Sequence, residues 1–363
     1  MGLIHPTSLE RWQDWERSRH RIRRAKHAVG HGARAVLGRP QDGPERLQLL
    51  ARDGDGDSRI LLALDSLAPS SRLSILTCLP YLRAGVDLVL PESVETATLM
   101  MDEGLQRRLG GSLDELLDGG TYRAAVTLGW SLPVGTLAHD WAARHGVPST
   151  IVQHGALTPY APPLPPESTL FAWTGEDGDF YRSGRHDVDV RVIGSQLLWQ
   201  AAREGVRSAG EGADGSGSEE ADQLVFLGQM HGAELPRRIT AGAAIDLCRK
   251  EGALYRPHPM EIDVVSRTAH RVMQRAGITF QDSSIPLATM PNPVVAVFST
   301  GVLEAAVRGV PAWVHAPKAP VWVHEFWDRY RMSRWGGTEP TRGPEIGADE
   351  PARLLAQHLE GVA

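Results

Sequence analysis

From residue 58 onward the chain alternates short apolar runs with longer stretches of helical spacing. Arg59-Ile60-Leu61-Leu62-Ala63-Leu64 stops at the polar pair Asp65-Ser66. Val86–Leu90, Ala124–Leu128 and Ser149–Gln153 follow the same plan, the second ending at Gly129-Trp130-Ser131 and the third at His154-Gly155. A helix through Ala138–Arg144 is expected between the last two. Apolar runs this short, bounded by turn residues and separated by helical segments, predict βαβ units and a parallel sheet. The alternation restarts further along. Gln223–Leu227 leads to Gly228-Gln229-Met230-His231, and Ala253–Arg256 leads to Pro257-His258-Pro259. Val294–Phe298 leads to Ser299-Thr300-Gly301 and a helix through Val302–Arg308, with Pro311–His315 as the next strand.

The segments between and before these two series differ in character. Residues 208–220 are Gly, Ser and acidic, with no apolar residue larger than Ala, and read as a linker. Residues 1–57 read as a polar helical extension. Trp12, Trp15 and Ile22 mark an apolar face beside a basic block of Arg17, Arg19, Arg21, Arg23, Arg24 and Lys26. Such a helix either lies on an anionic membrane or packs on the domain behind it. The expected domains are therefore 1–57, a Rossmann-like acceptor domain 58–207, the linker 208–220, and a Rossmann-like donor domain 221–363 ending in helices. Two such halves facing across a cleft would bind ligands at the C-terminal ends of their strands.

Composition narrows the function classes. The net charge of −6 argues against a protein that coats nucleic acid. Cys78 and Cys248 are too few for a disulfide framework or an all-cysteine zinc site. No run approaches the length of a membrane span. A cytoplasmic location is expected, peripheral to the membrane if the basic helix binds it. The run Asp53–Asp57 lacks the glycine and glutamate of a calcium loop and reads as a turn.

Candidate chemistry sits at the strand ends. A strand entering Ser299-Thr300-Gly301 and then a helix aims backbone N–H groups and a positive helix end at one point, which suits a phosphate. An ordinary N-cap has the same residues. Glu304, about one turn on, either accepts bonds from ribose hydroxyls or is a plain helix acid. His258, fixed between two prolines, can donate to a phosphate oxygen at little entropic cost. Gln229 and His231, in the loop after Leu227, can add donors. His154 is placed to act as a general base at neutral pH, with Gly155 allowing close approach of a ligand. Asp65, Ser66, Trp130 and Ser131 are candidate acceptor contacts, Trp130 either stacking on a sugar or filling the core.

These residues resemble motifs of GT-B-fold transferases of bacterial surface polysaccharide and teichoic acid synthesis. The nearest groups are the CDP-glycerol glycerophosphotransferases and the capsule-type sialyl and polysialyl transferases. The resemblance runs from about Arg59 to Leu359, with its specific part about Ile151 to Val314. Phe171–Gly175, Tyr181 and Val192–Ser195 are similar to that family's passage out of the first domain. Tyr255–Pro259 resembles its His-Pro motif, and Ser299-Thr300 its paired hydroxyl motif. The resemblance implies that His258, Ser299 and Thr300 hold the donor's phosphates and that His154 is the base; Arg256, Gly301 and Glu304 are further candidate donor contacts. The chain departs from the glycerophosphotransferases after Gly155, where it reads Ala156-Leu157-Thr158. Glu176-Asp177-Gly178 is similar to the acidic base motif of polysialyltransferases but lies too late in the first domain.

The expected activity is a metal-independent inverting glycosyl transfer in cell-surface polysaccharide synthesis. The donor is a CMP-, CDP- or UDP-linked sugar and the acceptor a glycan or lipid-linked glycan. No cofactor and no metal ligand set is expected. Three alternatives stand beside it: alditol-phosphate transfer from a CDP donor, nucleotide-sugar epimerisation, and an inactive GT-B scaffold subunit. The tryptophans 322, 327 and 335 are expected at the hinge.

Overall fold

The computed structural model describes residues 2–19, 46–117, 119–210, 222–282 and 286–361. They form two compact units, one of Met1–Gln196 with Gly347–Ala363 and one of Leu197–Ile346. The division falls at Gln196 rather than in the expected linker. Positions 208–210 close the helix Gln196–Gly210, and 211–220 lie outside the described residues.

The first unit is built on one sheet. Its strands are β1 (Leu47–Arg52), β2 (Ser58–Ala63), β3 (Gly85–Pro91), β4 (Gln106–Gly110), β5 (Thr121–Thr127), β6 (Ser149–Val152), β7 (Thr169–Ala172) and β8 (Asp189–Val192). Their order is β4-β1-β3-β2-β5-β6-β7-β8. Pairing is parallel from β3 to β8, whereas β1 runs antiparallel to β3 and β4. A sheet covered on both faces has apolar residues in succession, not in alternation. β2 shows why. Ile60 and Leu62 enter one core with Ile75, Leu79, Leu355 and Leu359. Leu61 and Ala63 enter the other, with Val134, Ala138 and Trp141 of the helix Pro133–His145.

β1 corrects the reading of 1–57 as wholly helical. It is fully buried at Leu47, Leu49 and Leu50, and buried Gln48 spends its amide on the carbonyls of Pro91 and Val94. The helix Leu9–Arg19 does form. Its apolar face is occupied: the Trp12 indole donates to the Tyr160 carbonyl at 2.7 Å, and Trp15 stacks on Tyr160 at 4.7 Å. Ile22, Arg21, Arg23, Arg24 and Lys26 lie outside the described residues. Among the described residues no helix is long and apolar enough to cross a membrane.

The second unit carries four parallel strands, β9 (Val225–Leu227), β10 (Leu254–Arg256), β11 (Val294–Ala296) and β12 (Ala312–Val314), in the order β10-β9-β11-β12. The three tryptophans expected at a hinge pack inside this unit. Trp322 meets Phe298, Trp327 donates to the Val297 carbonyl, and Trp335 meets Trp313 edge to face. The helix Pro351–Glu360 instead belongs to the first unit, where Ala352, Leu355, Ala356 and Leu359 complete its core.

A buried carboxylate lies within the first sheet. Asp87 of β3 is 3% exposed and takes bonds from Arg59 of β2 and from the Tyr122 hydroxyl of β5. Asp87→Ala leaves the guanidinium and the phenol without their shared acceptor. It should lower stability by about 3–5 kcal/mol. Urea unfolding measures this, and a loss below 1 kcal/mol would mean that water replaces the carboxylate.

Candidate functional site

Among the parallel strands of each sheet the order reverses between β2 and β5 in the first unit and between β9 and β11 in the second. Loops leaving the C-terminal ends of such strands diverge and open a crevice. Asp65, Ser66, Trp130, Ser131, Gln229, His231 and Ser299 fall on these loops, and His154 and His258 on the loops after the neighbouring strands β6 and β10.

In the second unit three loops meet. Gln229, after β9, accepts from the backbone N–H groups of Val297 and Phe298, after β11, at 3.1 and 2.9 Å. That single side-chain oxygen closes the gap between the two loops. Two residues on, His231 stacks on His258 of the β10 loop, ring centres 3.8 Å apart and planes 16° from parallel. Burial first, then the neighbouring His258 and Arg237, push the His231 pKa down to about 4. It is therefore neutral at pH 7 and stacks without charge repulsion. Its Nδ1 is buried with no hydrogen-bond partner among the described residues. The His258 ring accepts from the Met260 N–H at Nδ1, 3.1 Å away. In the neutral ring this leaves the proton on Nε2, as a donor.

Ser299 caps the helix Thr300–Val307 by accepting from the Gly301 N–H at 3.1 Å. Gly301 is needed by space as well, because a Cβ there would stand 2.9 Å from Leu227 and 2.8 Å from Leu287. The cap is a neutral hydroxyl, and no acid occupies the first turn. The positive helix end is thus left without a counter-charge from its own residues. Glu304, one turn on, is 7% exposed and accepts no hydrogen bond among the described residues. Its electrostatic neighbours are Arg308 and Glu204. Desolvation outweighs the pull of Arg308 and raises its pKa to about 7. Arg256, a candidate donor contact, braces a neighbouring segment. Its guanidinium donates to Gln281, at 3.2 Å, and to the Asp282 carbonyl, at 3.3 Å, bracing the segment beyond Phe280.

The first unit places His154 exposed at the end of β6. Its pKa is lowered, by desolvation first, although a hydrogen bond to the Val152 backbone opposes this. The loop is held by buried Gln153, which donates to the Gly155 carbonyl at 3.0 Å and to Asp177 at 2.9 Å and accepts from the Trp173 N–H at 2.9 Å. Asp177, of the acidic triplet, is 1% exposed and serves this scaffold. Asp65, a candidate acceptor contact, holds the start of a helix. Its carboxylate accepts from the N–H groups of Val134 and Gly135 and caps the helix Pro133–His145. Trp130 donates to the Pro163 carbonyl at 2.7 Å and meets His139 edge to face, half-buried. Ser66 is exposed and Ser131 half-buried at the same end of the sheet.

Sequence reasoning passed over Glu261. It is 3% exposed and accepts from the Met230 N–H, the Tyr255 hydroxyl and His270, each at 2.8 Å. The available signal was an acid two residues beyond the rigid Pro-His-Pro turn. Among the described residues no group of three or more His, Cys, Asp or Glu is arranged to hold a metal ion.

Comparison with solved structures finds UDP-GlcNAc 2-epimerase of Neisseria meningitidis bound to UDP-GlcNAc, with a TM-score of 0.55 at 12% identity, covering 84% of this chain and 100% of that one. The Methanocaldococcus jannaschii UDP-GlcNAc 2-epimerase, in complex with UDP-GlcNAc and UDP, gives 0.49 at 11% identity over 84% and 99%. Anabaena HepE in complex with UDP and glucose gives 0.44 at 17% identity over 84% and 89%. No protein-family model matches the chain, and no curated protein matches it. At these identities the likeness shows the fold alone, an α/β architecture of GT-B type with two Rossmann-like units.

The pKa of Glu304 makes a stability prediction. Its folded value, about 7, lies above its unfolded value near 4.5, so the folded state holds the extra proton between them. Stability from this group is complete below pH 4.5 and falls as pH rises to 7. Glu304→Gln cannot ionise. Relative to wild type it should gain up to about 3 kcal/mol between pH 4 and pH 8. Unfolding at both pH values tests this, and parallel pH profiles for the two proteins would refute it.

Proposed function

We propose that the second unit binds a nucleoside diphosphate and that the protein is a glycosyltransferase acting on a nucleotide-activated sugar. The observation that carries this reading is the meeting of three strand-end loops at the β9/β11 reversal. There the His258 Nε2–H and a helix end capped only by a hydroxyl are available to an anion, with His231 stacked behind His258. Phosphate oxygens are the acceptors that such donors lack. Ser299, Thr300 and Gly301 hold the terminal phosphate at the helix end, with His258 donating from the side. Glu304, a buried carboxylate in want of donors, receives the ribose hydroxyls. The fold likeness to proteins solved with UDP or UDP-sugars supports the same reading.

In this scheme His154 takes the acceptor's proton. One ring nitrogen is engaged with the Val152 backbone, and the lowered pKa keeps the ring neutral at pH 7. The other nitrogen is then a proton acceptor. Attack of the acceptor oxygen on the anomeric carbon breaks the bond to the leaving phosphate and inverts the centre. The phosphate's charge is taken up by the helix end and His258. A role in surface polysaccharide synthesis, with a glycan or lipid-linked acceptor, is the setting in which the motif resemblance places this reaction. A nucleotide-sugar 2-epimerase is the second reading, favoured by the likeness to the Neisseria enzyme. Product analysis with UDP-sugars separates the two: release of UDP with a new glycosidic bond supports transfer, and an epimeric UDP-sugar supports epimerisation.

The two histidines should divide the work. His258→Ala should weaken nucleotide binding by about 1.5–3 kcal/mol, the range for a hydrogen bond to a charged partner. His154→Ala should lower kcat by roughly 10²–10⁴-fold with nucleotide affinity nearly unchanged. Calorimetry and steady-state kinetics on both variants decide this, and the reverse pattern rejects the assignment. Chelation by EDTA should leave turnover intact, since protein donors supply the charge. Loss of activity restored by magnesium or manganese would overturn that part.

A further inference from the structure

Glu261 sits in the core as a carboxylate, at a position where an apolar side chain would cost no desolvation. Its three donors come from three elements. The Met230 N–H belongs to the β9 loop, the Tyr255 hydroxyl to β10, and His270 to the helix Val264–Arg275. Met230 precedes His231 directly. On the other side, the Glu261 N–H donates to the His258 carbonyl at 2.9 Å, and the Met260 N–H donates to the His258 ring. The residue thus stands between the two segments that carry the stacked imidazoles, with a bond to each. The space is shaped for this contact. A Cβ on Gly228 would stand 2.4 Å from the Tyr255 hydroxyl and 2.8 Å from Glu261 Oε1. Arg237, paired with Asp263 at 2.8 and 2.9 Å, ties the start of the next helix to the same corner.

We propose that Glu261 is a positioning residue of the nucleotide site, holding the β9 loop and the Pro-His-Pro turn in the register that stacks His231 on His258. The inference rests on the reading of this site as a nucleoside-diphosphate site. The carboxylate does not touch the ligand. It acts through the Met230 backbone and the His258 carbonyl, so its effect on binding passes through the histidines.

The test uses the full chain, UDP as the probe, and calorimetry beside ¹⁵N imidazole NMR. Glu261→Gln keeps the volume but replaces one acceptor oxygen by an amide. It should weaken UDP binding about tenfold, the effect of one hydrogen bond lost. The double variant Glu261→Gln/His258→Ala should bind within about threefold of His258→Ala alone, as residues acting as one unit do. Fully additive losses would overturn the proposal. A second readout needs no ligand. Burial pushes the His231 pKa below the ordinary imidazole value in the wild type, and the titration midpoint should move back toward that value in Glu261→Gln. If the wild type does not bind UDP, the nucleotide reading fails, and the midpoint alone judges the positioning role. An unmoved midpoint rejects it. If Glu261→Gln does not fold, Tyr255→Phe removes one of the three donors in its place. It should bind about threefold more weakly and shift the midpoint in the same direction. Wild-type values for both would overturn the proposal.

Discussion

A parallel sheet whose strand order reverses must part its loops at one place, and the backbone groups there lose their lateral partners. In the second unit that place is the gap between β9 and β11. The side-chain oxygen of Gln229 fills it by accepting from two successive backbone N–H groups. Everything around the candidate site follows from this closure. With the β9 loop pinned to the start of the Ser299 turn, His231 is carried toward the β10 loop and stacks on His258. The same side chain thus joins the loop that carries His231 to the turn that leads into the helix Thr300–Val307.

The first unit meets the same constraint differently. Its reversal lies between β2 and β5, and the helix Pro133–His145 begins there. The Asp65 carboxylate occupies the N–H groups of that helix end. A negative charge already seated on the dipole satisfies it internally and repels a second anion. The corresponding helix in the second unit carries only the Ser299 hydroxyl. The two sheets share the strand order around the reversal, yet they present opposite electrostatics at that point, and this contrast favours the second for phosphate.

How much of this was legible in the sequence depends on where each signal resides. Strands buried on both faces are continuous apolar runs, so β2, β3, β5, β6 and the second-unit strands stood out. β8 did not, because Asp189-Val190-Arg191-Val192 is a largely exposed edge. β1 was hidden by its place in a region that is otherwise polar, and by its antiparallel pairing, which no local pattern marks. Among the site residues, Gln229, His231, His258 and Ser299 were legible because strand ends are where polar residues gather. The same rule could not show that Asp65 caps a helix, since a cap and a ligand contact look alike in sequence. Glu261 was illegible for a different reason: its donors come from positions 230, 255 and 270, and only the fold brings them to one point.

The first unit is discontinuous in the chain, with Gly347–Ala363 returning to it after the whole second unit has intervened. This sets an order on biosynthesis. Leu355, Ala356 and Leu359 cover a core whose strands, from Leu50 to Phe171, were made before the whole second unit. As the chain leaves the ribosome, that core stays uncovered on one side while Leu197–Ile346 emerges with all its own partners at hand. The second unit can close as it is made, by contacts near in sequence, whereas the first waits for a distant helix and bears the larger loop-closure entropy. Of the two, the first unit is the one exposed to aggregation during synthesis and to arrest by a premature stop codon.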